Sequence, residues 1–184
     1  MGQLIFFNMM SIDGFFEGKN KELNWHNVDE EFNEFAIDQL NSADNLIFGR
    51  KTYELMAEYW PSKQAISNDP TIAEKMNAIK KNVFSKTLDK AIWQNTKLFR
   101  NDITKIVSKI KKDSEKDVLI LGSANLSKTL IKNELIDLYR IMVNPIILGN
   151  GNLLFSNSKN RIGLELTKVK SFRSGNVLME YRPK

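Results

Sequence analysis

Short apolar runs alternate with stretches whose apolar positions recur at helical spacing, and the connections between them are brief. That alternation predicts an α/β sheet. A first strand is expected over Gln3–Met9, followed by a turn-rich stretch from Ser11-Ile12-Asp13-Gly14 to Asn20 and on to Leu23-Asn24-Trp25. From Asp29 to Gln39 the positions Phe32, Phe35, Ala36 and Leu40 share one face of a helix. A strand at Leu46–Phe48 runs into Gly49 and a helix that Trp60-Pro61 ends, because proline cannot continue it. Asp69-Pro70 reads as an N-cap with proline at the first helical position, opening a helix with Ile72, Met76 and Ile79 on its inner face.

Strands at Asn82–Phe84 and Lys97–Phe99 come next. They precede a helix in which Ile103, Ile106, Val107 and Ile110 make the buried stripe. The strand Val118–Leu121 then leads into a helix from Ser123 to Lys132. After it the pattern turns to β over Leu135–Leu148, Arg161–Val169 and Val177–Arg182, with turns at Asn150-Gly151 and Ser174-Gly175-Asn176. No repeat or linker divides the chain, and its 184 residues suit one domain, 1–184, with an antiparallel C-terminal edge.

Composition removes several chemistries. The chain has no cysteine, so thiol nucleophiles, disulfides, iron–sulfur clusters and cysteine-bound zinc are excluded. Its single histidine, His26, lies in a loop beside Trp25 with no serine motif of the elbow type, and is expected to be half-exposed. No metal site is expected. The net charge of +5 raises nucleic acid as a partner, but Lys105, Lys109 and Lys112 lie opposite an apolar stripe, and no aromatic–basic platform accompanies the pairs Lys80-Lys81 and Lys111-Lys112. A small polyanionic ligand suits that charge better. No apolar run is long enough to span a bilayer and the N-terminus lacks the plan of a signal peptide, so neither membrane nor secretion is expected and the cytoplasm is.

Two strand-to-helix junctions carry the chemistry. Asn45-Leu46-Ile47-Phe48-Gly49-Arg50-Lys51-Thr52-Tyr53-Glu54 ends a strand on glycine and opens a helix with two cations and a threonine. A helix start offers unpaired N–H groups and a partial positive charge, and so holds anions. Asp117-Val118-Leu119-Ile120-Leu121 runs into Gly122-Ser123-Ala124-Asn125-Leu126 in the same way. Two such corners suggest a ligand with phosphates at two places, such as a dinucleotide. Neither has the Rossmann or Walker spacing.

The order of these pieces resembles the dihydrofolate reductase-like superfamily, most closely the reductase (C-terminal) domain of the bacterial riboflavin-biosynthesis deaminase–reductase. The matching segments are Met10-Ser11-Ile12-Asp13-Gly14, Ile47 to Glu54, Val83-Phe84-Ser85-Lys86-Thr87-Leu88, Leu119 to Leu126, and Leu135 to Arg140 running into Pro145 to Phe155. The resemblance implies a three-layer α/β/α fold with a mostly parallel central sheet and antiparallel C-terminal edge strands. It also implies NADPH as cofactor. Gly49, Arg50, Lys51 and Thr52 would hold the pyrophosphate and adenosine side, and Ser85 and Lys86 match the place where the family contacts the 2′-phosphate. Gly122, Ser123, Ala124, Asn125 and Leu126 would bring backbone N–H groups to the other side of the pyrophosphate. Asn8, Ser11, Asp13 and Gly14 would flank the nicotinamide and substrate, although Asp13 equally suits an Asx-turn.

Dihydrofolate reductase itself anchors its pterin through an acidic residue at the start of the helix after the tryptophan. Counting from Trp25 points to Glu30. Helical phase points to Asp29, on the stripe of Phe32 and Ala36, and phase is the more physical criterion; complementing the helix start is the plainer role. Asp29 and Asp13 are thus the candidate catalytic residues.

The sequence departs from the family in three places. Gly122-Ser123 stands for Gly-Gly, Asp137-Leu138 for Asp-Glu, and the Lys80/Lys81 pair where an arginine clamps the folate glutamate. The deaminase half with its zinc ligands is not in this sequence, so the complete bifunctional enzyme is not expected. The implied function is NADPH-dependent reduction of a pteridine- or pyrimidine-like small molecule, with 5-amino-6-(5-phosphoribosylamino)uracil reductase as the nearest family activity. True dihydrofolate reductase and a non-catalytic nucleotide-binding paralogue are the alternatives, and a homodimer is the expected assembly.

Overall fold

The computed structural model describes residues 2–122, 124–156 and 161–184. Its elements are β1 (Leu4–Ser11), β2 (Phe15–Glu17), α1 (Glu30–Asn41), β3 (Ala43–Gly49), α2 (Arg50–Tyr59), α3 (Lys63–Asn68), α4 (Pro70–Ala78), β4 (Lys80–Phe84) and β5 (Thr96–Phe99). They continue with α5 (Ile103–Asp113), β6 (Asp117–Leu121), α6 (Ala124–Lys132), β7 (Leu138–Asn144), β8 (Asn152–Leu153), β9 (Leu164–Ser171) and β10 (Val177–Pro183). The main sheet runs β5-β4-β3-β6-β1-β7-β10-β9. Its first six strands are parallel, and β10 and β9 close one edge antiparallel.

The parallel strands are apolar at nearly every position because both faces are covered, as parallel sheets require. Alternate residues go to opposite layers. Leu4, Phe6, Ile47, Val118 and Ile120 pack with Val107 of α5 and Leu126 and Leu130 of α6. Ile5, Leu46, Phe48 and Leu119 pack with Leu40 of α1, Tyr53 of α2 and Ile72 and Met76 of α4. Farther along β1 on that second face, Phe7 and Met9 meet Phe32 and Phe35 of α1. Phe6 and Phe48 have no exposed surface, and each contributes about 1.5–3 kcal/mol by burial.

Several local expectations change. The turn-rich stretch after Ser11 contains β2, which pairs with β8 in a separate two-stranded sheet. Helix α3 follows the Trp60-Pro61 break, capped by Ser62 Oγ accepting from the Ala65 amide at 3.1 Å. Asp69 precedes Pro70 as foreseen, but its carboxylate does not cap α4; it accepts from Asn33 Nδ2 at 2.9 Å and ties α1 to α4. The β pattern over Leu135–Leu148 yields a strand only from Leu138 to Asn144, since Pro145 has no N–H to continue the ladder.

Two lysines that read as surface charge are buried. Lys111 pairs with Asp137 at 2.6 Å and donates to the Leu135 carbonyl. Lys81, 1% exposed, donates to the carbonyls of Met76, Asn77 and Ile79 at the C-terminus of α4, beneath the Trp93 ring. Burial pushes its ammonium down to about 8. Lys81 therefore caps a helix and is no clamp for a substrate carboxylate. Only Lys80 of that pair is exposed.

Candidate functional site

Strands β3, β6 and β1 lie side by side with their carboxyl ends together. From β3 the chain enters α2, which packs on one face of the sheet. From β6 it enters α6, which packs on the other. A crevice opens where helices part in this way, the usual ligand position in an open α/β sheet.

The two glycine corners form its floor. Gly49 ends β3 in extended conformation and stands at the N-cap of α2 with no side-chain cap. Gly122 has a φ of +65°, and a Cβ there would lie 3.5 Å from Thr52 Cγ2. The junctions noticed separately in sequence are thus neighbours, and the left-handed turn at Gly122 lets the backbone of one come up against the first turn of the other. Ser123 lies outside the described residues.

Around this floor is a cleft of about 510 Å³, lined by Gly49, Arg50, Lys51 and Thr52 from β3–α2, by Ala124, Asn125, Leu126 and Lys128 from α6, and by β2, β8 and Lys21 above. Four cations, Arg50, Lys51, Lys128 and Lys21, and one carboxylate, Glu17, are among its lining residues. Arg50 also pairs with Glu54 at 3.1 Å, one turn along α2. Seven of the nine cofactor residues expected from the two corners line this cleft; Gly122 does not, and Ser123 lies outside the described residues.

Ser85 and Lys86 do not line it. They follow β4, the next strand outward from β3. Ser85 Oγ accepts from the amides of Thr87 and Leu88 at 3.1 and 2.9 Å, which leaves its hydroxyl hydrogen to donate. Lys86 is exposed, and Arg100 donates to the carbonyls of Lys86 and Asp89, adding a second cation to this turn.

On the other side of β6 the candidate residues are occupied by the protein itself. Ser11 is fully buried; its hydroxyl donates to Asp13 Oδ1 at 2.6 Å and accepts from the Phe15 amide at 3.0 Å. Asp13 also accepts from the amides of Leu148 and Gly149 at 3.1 and 2.7 Å. The Ser11 hydroxyl, with those two amides behind it, holds the Asp13 carboxyl below its ordinary range. A carboxylate so held is a loop clamp and a poor proton donor. Gly14, at a φ of +87°, makes the tight turn that brings this about.

Asp29 is not within α1 but is its N-cap, its Oδ1 accepting from the Phe32 amide at 2.8 Å. The helical-phase argument that favoured it does not hold, because the helix begins one residue later. Glu30 is exposed. Glu31 accepts from the Arg173 amide at 2.9 Å and pairs with Lys170 at 3.4 Å, and these lower its carboxyl below the usual range. Asn8 differs from this group. It is 7% exposed, sits on β1 just beyond the last residue paired with β6, and its Nδ2 has no hydrogen-bond partner.

Lys21, Lys128, Arg100 and the β2–β8 lip were missed by sequence reasoning. Lys128 was within reach, since it lies one turn from Ala124 on the same face of α6. Lys21 carries no such signal. Among the described residues no cluster of His, Asp or Glu could hold a metal ion, and no helix is long and apolar enough to cross a membrane.

Comparisons with known proteins bear on the family and the fold. The family model described as the RibD C-terminal domain matches residues 3–178. YyaP of Bacillus subtilis, an uncharacterised protein, is 35% identical over 173 residues, which cover 94% of this chain and 90% of YyaP. Among solved structures, a Shewanella protein provisionally named for riboflavin biosynthesis superposes with a TM-score of 0.76 at 21% identity, over 99% of both chains. The deaminase/5-amino-6-(5-phosphoribosylamino)uracil reductase of Thermotoga maritima gives 0.70 at 14% identity, with the whole of this chain covering 57% of that one. At such identities the structures speak to fold, and the fold is the three-layer one expected.

Proposed function

This chain belongs to the RibD C-terminal domain family, and from that premise we propose that it is an NADPH-dependent reductase of a pteridine- or pyrimidine-like small molecule. The nearest family activity is 5-amino-6-(5-phosphoribosylamino)uracil reduction. The observation that carries the reading is the meeting of two glycine corners, at the starts of helices on opposite faces of the sheet, beside a cleft lined by four cations. NADPH carries two negative charges on its pyrophosphate, which the cations of the cleft answer, and nearly two more on its 2′-phosphate.

In this reading Gly49 to Thr52 and Ala124 to Leu126 hold the pyrophosphate, with Lys128 and Lys21 closing over it. Ser85, Lys86 and Arg100 form the 2′-phosphate corner, where a hydroxyl donor and two cations suit a dianion. Asn8 offers a buried N–H to the nicotinamide end. NADPH when bound supplies the reducing equivalents. The protein's part is to orient the ring and leave room for the substrate and a water between β1 and the β2–β8 lip. Asp13 and Asp29 serve as scaffold, so the proton that completes reduction comes from solvent. A homodimer is included in the proposal; light scattering tests it.

The test is a thermal-shift titration with NADPH and, separately, NADH. At roughly a hundred times its dissociation constant a ligand adds about 2.7 kcal/mol, enough to raise the midpoint by several degrees. A shift with NADPH alone supports the reading, and none with either defeats it. Lys86→Ala should weaken NADPH about 10-fold and leave NADH nearly unchanged; equal losses would remove Lys86 from the 2′-phosphate corner.

A second reading, a nucleotide-binding paralogue without catalysis, is favoured by one observation: Asp13 and Asp29, the two candidate acids, are both engaged in the scaffold. Sustained NADPH oxidation with a pyrimidine, a pteridine or dihydrofolate decides between the two.

A further inference from the structure

Away from the cleft, three segments meet around Asn27. Its amide donates to Asn144 Oδ1 at 2.9 Å, at the end of β7. Its carbonyl accepts from Asn176 Nδ2 at 2.9 Å, and its own Nδ2 donates to the Ser174 carbonyl at 3.1 Å, both in the turn before β10. Val143 and Val177 are antiparallel partners, so Asn144 and Asn176 stand opposite one another. Neither has any exposed surface.

These bonds leave four buried atoms without a partner: Asn144 Nδ2, Asn176 Oδ1, Ser174 Oγ and His26 Nε2. Reversing either amide does not help. It would set an NH₂ against the Asn27 amide or a carbonyl against the Asn27 carbonyl. A buried polar group left unpaired costs about 1–3 kcal/mol, and all four belong to residues that bond to Asn27 or precede it in the chain, which points to a common partner.

The character of the four atoms selects that partner. Asn144 Nδ2 can only donate and Asn176 Oδ1 can only accept, while the hydroxyl and the imidazole nitrogen do either. A cation would face the amide NH₂, and an anion would face the amide oxygen. A ring-sized ligand has no way in, because both asparagines are fully covered. Water donates two hydrogen bonds and accepts two, and buried waters typically make about three.

We infer that this is a binding site for internal water, which completes the hydrogen bonds of Asn144, Asn176, Ser174 and His26 and fastens the loop before α1 to the ends of β7 and β10. The water is a structural part of the protein. It holds the loop carrying Trp25 and His26, and through Asn27 the entry to α1, independently of whatever the cleft binds.

A crystal structure that resolves ordered solvent tests the site directly. The expected result is a water within hydrogen-bond distance of Asn144 Nδ2, Asn176 Oδ1 and at least one of Ser174 Oγ and His26 Nε2. Density for an ion, or the four atoms paired with protein groups and no water between them, overturns it. In solution, Ser174→Ala removes a water partner without touching the backbone bonds of Asn27. Hydrogen exchange at the Asn27 amide should then quicken several-fold while the amides of β1 exchange as before. Unchanged exchange at Asn27 would count against the site.

Discussion

Strand β6 divides the carboxyl end of the sheet into two neighbourhoods that share an architecture and differ in what their polar groups do. Toward β3 and β4, Lys51, Lys86 and Arg100 are exposed, and the starts of α2 and α6 open onto a cationic cleft. Toward β1, β7 and β10, the acids are consumed by the fold: Asp13 holds the Leu148–Gly149 turn, Asp29 caps α1 and Glu31 holds the Arg173 amide. The first side leaves its charge exposed. The second spends its charge on fixing loops. The residues proposed to hold the cofactor are thus open to solvent while the candidate carboxylates have structural work, and site assignments on the two sides deserve different tests.

The largest effect expected is on the loop side and comes from pH. Burial pushes the His26 imidazole down to about 4. In the unfolded chain it titrates near 6.5, so between those values the unfolded state binds more protons and acid destabilises the fold. Stability should fall by up to about 3 kcal/mol as pH drops from 6.5 to 4. Urea denaturation across that window should show the slope, and His26→Gln should flatten it. An unchanged slope would mean that the loop side is not the acid-sensitive half.

Next is Gly122→Val on the cleft side. A branched side chain at a φ of +65°, in contact with Thr52, should lower NADPH affinity by at least about 100-fold and cost about 1–2 kcal/mol of stability. Affinity unchanged in a folded variant would remove this corner from the cofactor site. Lys51→Ala should act more gently, weakening NADPH about 10-fold with no change in melting temperature, as isothermal titration and a melt would show. Smallest is Asp29→Ala, which should cost about 1 kcal/mol as a lost N-cap and leave NADPH affinity untouched. A collapse of turnover without loss of stability would return Asp29 to the catalytic site and break the contrast.

Legibility in the sequence follows the same divide. The corners could be read because a buried parallel strand is an unbroken apolar run, and glycine with Arg50-Lys51-Thr52 marks where it stops. Their contact could not, since it depends on β3 and β6 being neighbours in register. The strands β2 and β8 were hidden because three and two residues show no periodicity, and their pairing partners are far apart in the chain. The burial of Lys81 and Lys111 could not be read, because nothing local says that a carbonyl cluster or Asp137 awaits them. Asp29 turned on a single residue: a helix that starts at Glu30 makes its predecessor a cap, and a one-residue error in the boundary changes its chemistry.

The position of β6 has one more consequence. Its neighbours β3 and β1 are brought to it from distant parts of the chain, and the two corners exist as a pair only once all three strands have joined. No fragment ending before β6 holds both halves of the cleft. A dinucleotide lying across Gly49 and Gly122 would thus act as a cross-link between segments that the backbone connects only by a long detour, making occupancy of the cleft and completion of the sheet a single cooperative event.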